Sequence, residues 1–185
     1  EQVWSARGRF VKLPTVANDR KFCFDPTLRA ETRQELGLSE NQSLLFYPGK
    51  FGGLYYREQT AWMFRWLLDL EPSLHFLIVT PHADEDVHAL FAQADVPHHA
   101  YTIRHSDYPE IHRYYFAADF AVIAVPPGPS KKFISNIKVG EYLCAGLPFL
   151  ITRGVSEDHL VAEEQGVGVV VDDFVPSRTY RKIAA

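Results

Sequence analysis

Short apolar runs alternate with longer stretches of helical periodicity through this 185-residue chain, and this alternation limits its fold more than any other feature. Strands that alternate with helices along a sequence form a parallel sheet with crossover helices. The runs are almost continuously apolar, which indicates that both faces of the sheet are covered. We therefore predict an α/β, Rossmann-like parallel sheet with helices on both faces, with strands at residues 43–47, 75–80, 99–103, 120–125, 149–152 and 167–171.

Four helices are predicted between these strands, and their ends carry recognisable capping residues. Asp107 and Glu110 have the spacing of a capping box, and Pro109 falls in the first turn of the helix that they would begin. Gly146 directly follows the last predicted helix, at the position where glycine commonly ends a helix. Residues 13–39 are less regular, and no helix is predicted there. The predicted helices cover residues 58–70, 84–93, 107 to about 118, and 137–145.

Composition excludes several classes of protein. Nineteen basic and 23 acidic side chains give a formal charge of −4 without a basic stripe, so nucleic acid is not an expected partner. Every apolar run is far too short to span a bilayer. Cys23 and Cys144 lie far apart in no metal or redox spacing, which is typical of a reducing compartment and favours the cytoplasm. The chain is expected to form one domain, residues 1–185.

The loops that follow the predicted strands are the expected ligand site, because ligands of open α/β sheets bind at the carboxyl ends of the strands. Gly49 and Lys50 come directly after the first strand: the glycine permits close backbone approach and the lysine could contact a phosphate. The surrounding sequence is neither a Walker A motif nor a GxGxxG fingerprint. A solvated loop lysine and a phosphate ligand are equally compatible with Lys50.

The helix that follows the fourth strand has an amino terminus suited to an anion. Ser135, Asn136 and Lys138 lie there, where unpaired N–H groups and the helix dipole favour a diphosphate. An ordinary capped helix is the alternative. Glu141 lies further along this helix among apolar neighbours, either as an acceptor for the two hydroxyls of a ribose or as a partly exposed surface residue.

The histidines and cysteines do not indicate a metal site or a nucleophile. His82 and His88 lack helical ligand spacing, and adjacent residues His98 and His99 would point to opposite faces of a strand. No GxSxG elbow is present. His105 differs because it follows a strand at the ligand-binding edge, either as a functional residue or as a hydrogen-bonded structural one.

At this point a family resemblance becomes visible. Ser130-Lys131-Lys132, followed by the segment from Ser135 to Pro148, resembles the donor-binding segment of retaining GT-B glycosyltransferases of the group 1 type. The stretch 33–38 resembles their R-x-x-L-G-L sequence, and Ala117-Ala118-Asp119 resembles the region before the donor loop. The "K-x-G-E-Y-L" sequence of residues 138–143 is similar to that of capsule and cell-surface transferases.

The resemblance implies the carboxyl-terminal half of a GT-B fold that binds a nucleotide-diphosphate sugar. It implies that Glu141 contacts the donor ribose, that Lys50 contacts the diphosphate, and that the base lies beside Ile103 to His105. Lys50 and Glu141 are then the expected catalytic groups. No metal or other cofactor is expected, and the acceptor would be a cell-surface polysaccharide, lipopolysaccharide or other glycan.

The resemblance also implies an amino-terminal acceptor domain that this chain lacks, so this chain alone is not expected to catalyse transfer. Peripheral membrane association would come through the full-length protein. Two positions depart from the family: Phe133 stands where the first acid of a Glu-x7-Glu pair is expected, and Arg57 is the nearest substitute for a second phosphate-binding lysine. A sugar-nucleotide epimerase of the same fold and a non-catalytic nucleotide-binding module remain alternatives.

Overall fold

The computed structural model describes residues 15–175, which contain six strands and six α-helices. The strands are β1 (Leu44–Pro48), β2 (His75–Val79), β3 (Tyr101–Arg104), β4 (Phe120–Ile123), β5 (Phe149–Thr152) and β6 (Gly168–Val171). The helices are α1 (Pro26–Glu35), α2 (Glu58–Leu70), α3 (Asp84–Ala92), α4 (His112–Ala117), α5 (Ile137–Cys144) and α6 (Asp158–Gln165). Within this part of the chain, no helix has the length and apolarity needed to cross a membrane.

The strands form one sheet in the order β3-β2-β1-β4-β5-β6, and each neighbouring pair is parallel. From β1 the chain therefore adds β2 and β3 on one side of the sheet. It then crosses over, and β4 pairs with the other side of β1. This reversal creates a crevice at the carboxyl ends of β1 and β4, where ligands of such sheets bind. The predicted Rossmann-like α/β fold is confirmed.

Each face of the sheet has its own hydrophobic core, because successive strand residues point to opposite faces. On one face Tyr47 and Ile78 pack against α2 and α3, together with Phe64 and Phe91. On the other face the strand residues pack against α1, α4, α5 and α6, and Tyr142 is among the fully buried side chains there. Burial of both faces explains the nearly continuous apolar runs of the sequence.

Helices α1 and α6 were not predicted from the sequence, because their buried faces have little apolar periodicity. The buried residues of α1 are Thr32 and Arg33, and the buried residue of α6 is Ala162. The start of α1 is nevertheless well defined, since the Asp25 carboxylate accepts hydrogen bonds from the amides of Thr27 and Leu28 at 2.8 and 3.1 Å. Helix α1 thus depends on polar contacts.

Two local predictions were wrong. His98–Ala100 forms a 3-10 turn, so His98 and His99 precede β3 and do not lie on opposite faces of it. The capping-box spacing at Asp107 does not begin a helix, because the amide of Glu110 donates to the Asp107 carbonyl oxygen at 3.1 Å in a turn and α4 starts only at His112. The spacing of Asp107 and Glu110 is compatible with both a turn and the start of a helix.

Polar contacts from α1 fix the carboxyl end of α4 against the sheet. Arg29 donates to the carbonyl oxygens of Phe116, Ala117 and Ala118 at 2.7–3.0 Å, as a basic side chain near a helix carboxyl end commonly does. Arg33, whose side chain is 6% exposed, donates to the carbonyl oxygens of Ala117 and Ser39 at 2.9 and 2.8 Å. These contacts hold α4 in place.

Asp119 completes this network at the start of β4. Its carboxylate pairs with Arg29 and Arg33 at 2.5 and 3.3 Å, and it also accepts a hydrogen bond from the Leu44 amide of β1 at 2.8 Å. One carboxylate therefore connects helix α1 to β1 and β4, and these two strands border the crevice.

Replacing Arg33 with methionine should destabilise the fold by about 2–4 kcal/mol, because the Ser39 carbonyl oxygen loses this donor and, of the two arginines, the Ala117 carbonyl oxygen and the Asp119 carboxylate keep only Arg29. Urea unfolding followed by circular dichroism measures this loss. Arg65→Met is the matched control: Arg65 pairs with Asp69 on the surface of α2, and its loss should cost at most about 0.5 kcal/mol. Equal destabilisation by both substitutions would contradict the structural role of Arg33.

Candidate functional site

A groove of about 750 Å³ lies at the carboxyl end of the sheet. Its walls are the loops that follow β1, β2 and β3, and α5 contributes one side chain. The size is typical of a small-molecule site. The lining residues are Pro48, Gly49, Lys50, Gly52, Gly53, Leu54, Tyr55, Val79, Thr80, Pro81, His105, Ser106, Asp107, Ile111 and Lys138.

Lys138 reaches from α5 across the groove to β1. Its Nζ donates to the carbonyl oxygen of Pro48 and lies 5.0 Å from the centre of the Tyr55 ring. Burial lowers the pKa of Lys138 to about 8, and the charge of Glu141 opposes this shift. An ammonium group held in a partly desolvated groove is well placed to bind an anion.

Gly49 makes room for this lysine. A Cβ atom at position 49 would lie 3.2 Å from Lys138 Nζ, which is closer than ordinary contact. The absence of a side chain therefore has a steric reason besides the expected backbone approach to a ligand. Gly49 and Lys138, predicted from separate motifs, form adjacent parts of one wall.

Lys50 is exposed at the rim of the same groove. Its carbonyl oxygen accepts a hydrogen bond at 2.7 Å from the buried Tyr47 hydroxyl. The loop beyond it is fixed at two points, since the Phe51 amide donates to His82 Nε2 at 3.1 Å and the Tyr56 amide donates to the Ala124 carbonyl oxygen at 2.9 Å. The backbone that carries Lys50 is therefore held in place while its ammonium group stays in solvent.

Glu141 is 4% exposed and is not part of the groove wall. Its Oε2 accepts a hydrogen bond of 2.5 Å from the hydroxyl of Tyr115 on α4. Lys138 and Lys21 add favourable electrostatic interactions. The interpretation of Glu141 as a partly exposed surface residue is wrong, and the partner that a buried carboxylate needs is Tyr115.

Ser135 and Asn136 do not point freely into the groove. The hydroxyl of Ser135 accepts from the amide of Thr15 at 3.0 Å, and Asn136 Nδ2 donates to Ser156 Oγ at 3.2 Å and to Asp158 Oδ2 at 3.1 Å. The Asn136 side chain therefore does not cap α5. The donors that α5 offers to an anion are therefore the backbone N–H groups of its first turn, and not the side chains of Ser135 and Asn136.

His105 connects two loops at the rim of the groove. Nδ1 lies 2.8 Å from the carbonyl oxygen of Thr80, and Nε2 lies 2.8 Å from Asp84 Oδ1. Both partners are acceptors, so the ring binds them best when both nitrogens carry protons. These hydrogen bonds, that of Asp84 above all, raise the pKa of His105.

Like Ser135, Asn136 and Glu141, the predicted residues Arg57 and Ile103 are not among the residues that line this groove. Arg57 borders a separate small pocket with Phe51 and His82, and its Nε lies 3.3 Å from Glu58 Oε1. Ile103 packs against the core on the α2 and α3 face, with its side chain away from the groove. Among residues 15–175, no cluster of three or more histidine, cysteine, aspartate or glutamate side chains is arranged to hold a metal ion.

Sequence reasoning missed Tyr115 and Tyr55. Tyr115 lies in the apolar stretch before β4, and a buried tyrosine hydroxyl usually requires an acceptor, which is a weak indication of a partner such as Glu141. Tyr55 follows the two glycines of the first loop, and the sequence contains no feature that places its ring beside Lys138.

The strand order defines a Rossmann-like domain, and the groove lies at the carboxyl edge of its sheet. No protein-family model and no curated protein matches the sequence. Solved structures do match it, and they are glycosyltransferases of the GT-B fold.

WaaG, a glycosyltransferase involved in lipopolysaccharide biosynthesis, matches with a TM-score of 0.72 and 20% identity over 92% of this chain and 45% of WaaG. The carboxyl-terminal domain of LpcC, a group 1 family glycosyltransferase of Francisella tularensis, matches with a TM-score of 0.62 and 15% identity over 85% of this chain and 81% of that domain. HepE of Anabaena, solved with UDP and glucose, matches with a TM-score of 0.67 and 16% identity over 90% of this chain and 44% of HepE.

This chain therefore has a glycosyltransferase-like fold, that of the carboxyl-terminal half of GT-B proteins, as the sequence resemblance implied. It spans less than half the length of WaaG and HepE. At these identities the likeness establishes the fold.

The pKa of His105 should fall when Asp84 is replaced with asparagine, because the ring loses its carboxylate acceptor. Titration of the histidine ring resonances by NMR measures this change. The contact between His105 and Asp84 should stabilise the fold at pH values below the ordinary histidine pKa. This stabilisation should disappear as the pH rises through the raised pKa of His105. Asp86→Asn, which removes the same charge from the first turn of α3, is the control, and an equal shift in both variants would contradict a specific contact.

Proposed function

We propose that this domain binds a nucleotide-diphosphate sugar in the groove and is the donor-binding half of a retaining glycosyltransferase. The observation that carries the proposal is Lys138, whose ammonium group is held beside Gly49 at the switch point of a glycosyltransferase-like fold. The match to HepE solved with UDP and glucose supports a nucleotide-sugar ligand.

The diphosphate would lie between Lys138, Lys50 and the amino terminus of α5. Lys138 supplies a fixed charge, and Lys50 can move toward the ligand from the rim. The first amide groups of α5 lack a side-chain cap and add partial positive charge. A phosphate in this position would replace the Pro48 carbonyl oxygen as the main partner of Lys138.

The base would occupy the end of the groove formed by Thr80, His105 and Ser106, where the main chain after Ile103 is within reach. The ribose would then lie toward Glu141. In residues 15–175, one oxygen of this carboxylate accepts from Tyr115 and the other accepts no hydrogen bond, so the second oxygen could take a ribose hydroxyl.

The proposed chemistry needs no metal ion. As the bond between the sugar and the diphosphate breaks, negative charge grows on the leaving group, and fixed ammonium and amide donors stabilise it. An acceptor domain of the full-length protein would bring the attacking hydroxyl to the sugar and exclude water. The acceptor would be a surface polysaccharide, lipopolysaccharide or other glycan, and the reaction would take place in the cytoplasm.

Calorimetric titration with UDP, GDP and ADP in the presence of EDTA tests the proposal. One of the three nucleotides should bind, and Lys138→Met should weaken its binding at least about tenfold, because a charged hydrogen bond to phosphate is lost. Lys132→Met is the matched control: Lys132 lies over the Phe133 ring outside the groove, and its loss should leave affinity almost unchanged.

The affinity should also decrease as the pH rises from about 7 to about 9.5, where the diphosphate stays fully ionised. The reason is that Lys138, with a pKa of about 8, loses its charge in this range. The Lys138→Met variant should lose most of this dependence. If none of the three nucleotides binds, or if the two lysine variants lose the same affinity, the proposed site is wrong.

A further inference from the structure

Tyr115 and Glu141 form a buried pair between α4 and α5, beside two residues that line the groove. Ile111 and Lys138 both line the groove, and each lies one helical turn before a member of the pair. Side chains separated by three or four residues are neighbours on one face of a helix, so each member of the pair lies next to a residue of the groove, and the charge of Glu141 acts on Lys138. The carboxylate is thus close to the groove although it is almost fully buried.

The Tyr115 ring is held by aromatic neighbours. Its centre lies 4.9 Å from the rings of Phe22 and Phe46 and 5.3 Å from that of Tyr142. These rings come from three elements: the segment before α1, β1 and α5. The hydroxyl therefore has little freedom, and its 2.5 Å contact to Glu141 Oε2 fixes the position of the carboxylate.

The direction of this hydrogen bond is settled by chemistry. Burial, together with the nearby Tyr142 and Glu141, raises the pKa of Tyr115 well above its usual range, so the hydroxyl keeps its proton and donates. The oxygen of Glu141 is therefore the acceptor of this hydrogen bond. The remaining Glu141 oxygen is left as an acceptor.

We propose that Tyr115 is a positioning residue that holds Glu141 in the orientation needed to recognise the 2′-hydroxyl of a ribose. This inference rests on the proposed nucleotide site. Its consequence is selectivity: a buried acceptor aimed at a ribose hydroxyl binds a ribonucleotide more tightly than the 2′-deoxy form, because the acceptor is left unpaired by the latter.

The test compares the nucleoside diphosphate that the protein binds, whether UDP, GDP or ADP, with its 2′-deoxy counterpart. The unmodified protein should prefer the ribonucleotide by about tenfold or more, the usual effect of a hydrogen bond to a charged group. In Tyr115→Phe, which keeps the ring but removes the donor, the preference should fall to within about threefold of unity.

Tyr142→Phe is the matched control. It removes another buried hydroxyl of the same aromatic cluster, one whose 3.5 Å contact is to the Val122 carbonyl oxygen. Its preference for the ribonucleotide should equal that of the unmodified protein. Thermal unfolding of both variants shows whether they fold. If Tyr115→Phe does not fold, Glu141→Asp provides the second test. This variant keeps the charge but draws the carboxylate away from Tyr115, so it should lose the same preference for the ribonucleotide.

The outcomes separate this inference from the proposed function. Retention of the full preference in Tyr115→Phe, or its equal loss in Tyr142→Phe, overturns the positioning role. Binding of both nucleotides with equal affinity by the unmodified protein also overturns it, yet leaves the groove as a nucleotide site. Failure of any nucleoside diphosphate to bind removes the proposed function and this inference together.

Discussion

The contact between the Lys138 ammonium group and the Pro48 carbonyl oxygen joins α5 to the end of β1, and the arrangement of the groove depends on it. The contact is possible only because the chain reverses direction between β1 and β4, which leaves a crevice that α5 can approach. Gly49 leaves room for it, since a Cβ atom there would come within 3.2 Å of Lys138 Nζ. Burying this charge is unfavourable, as the lowered pKa of Lys138 indicates, and an anionic ligand would offset the cost.

Glu141 lies one turn beyond Lys138 and belongs to the same electrostatic system. Its charge partly restores the pKa of Lys138, while Tyr115 satisfies one of its oxygens. The carboxylate and the ammonium group therefore support each other across one turn of α5. Tyr115 is itself carried by α4, whose carboxyl end is held by Arg29, Arg33 and Asp119, so polar contacts far from the groove help to fix the site.

The sequence predicted the sheet well because burial on both faces leaves long apolar runs. The edge at which a ligand is expected contains the groove, because parallel strands present their carboxyl ends together. The sequence did not predict α1, whose buried residues are polar, or the turn before α4, where capping-box spacing occurs without a helix. Gly49 and Lys138 were predicted from local motifs, and both line the groove. The tyrosines could not be placed in this way, since Tyr115 meets Glu141 only through the packing of two helices.

An NMR titration of the isotopically labelled protein with UDP, GDP and ADP, followed through the backbone amide resonances, tests most directly whether the groove binds a nucleotide. One nucleotide should shift the amide resonances of Gly49, Lys50, Ser106 and Lys138, which surround the groove. Shifts confined to a distant surface, such as the stacked His88 and His98 rings, or no shifts with any of the three nucleotides, would contradict binding in the groove.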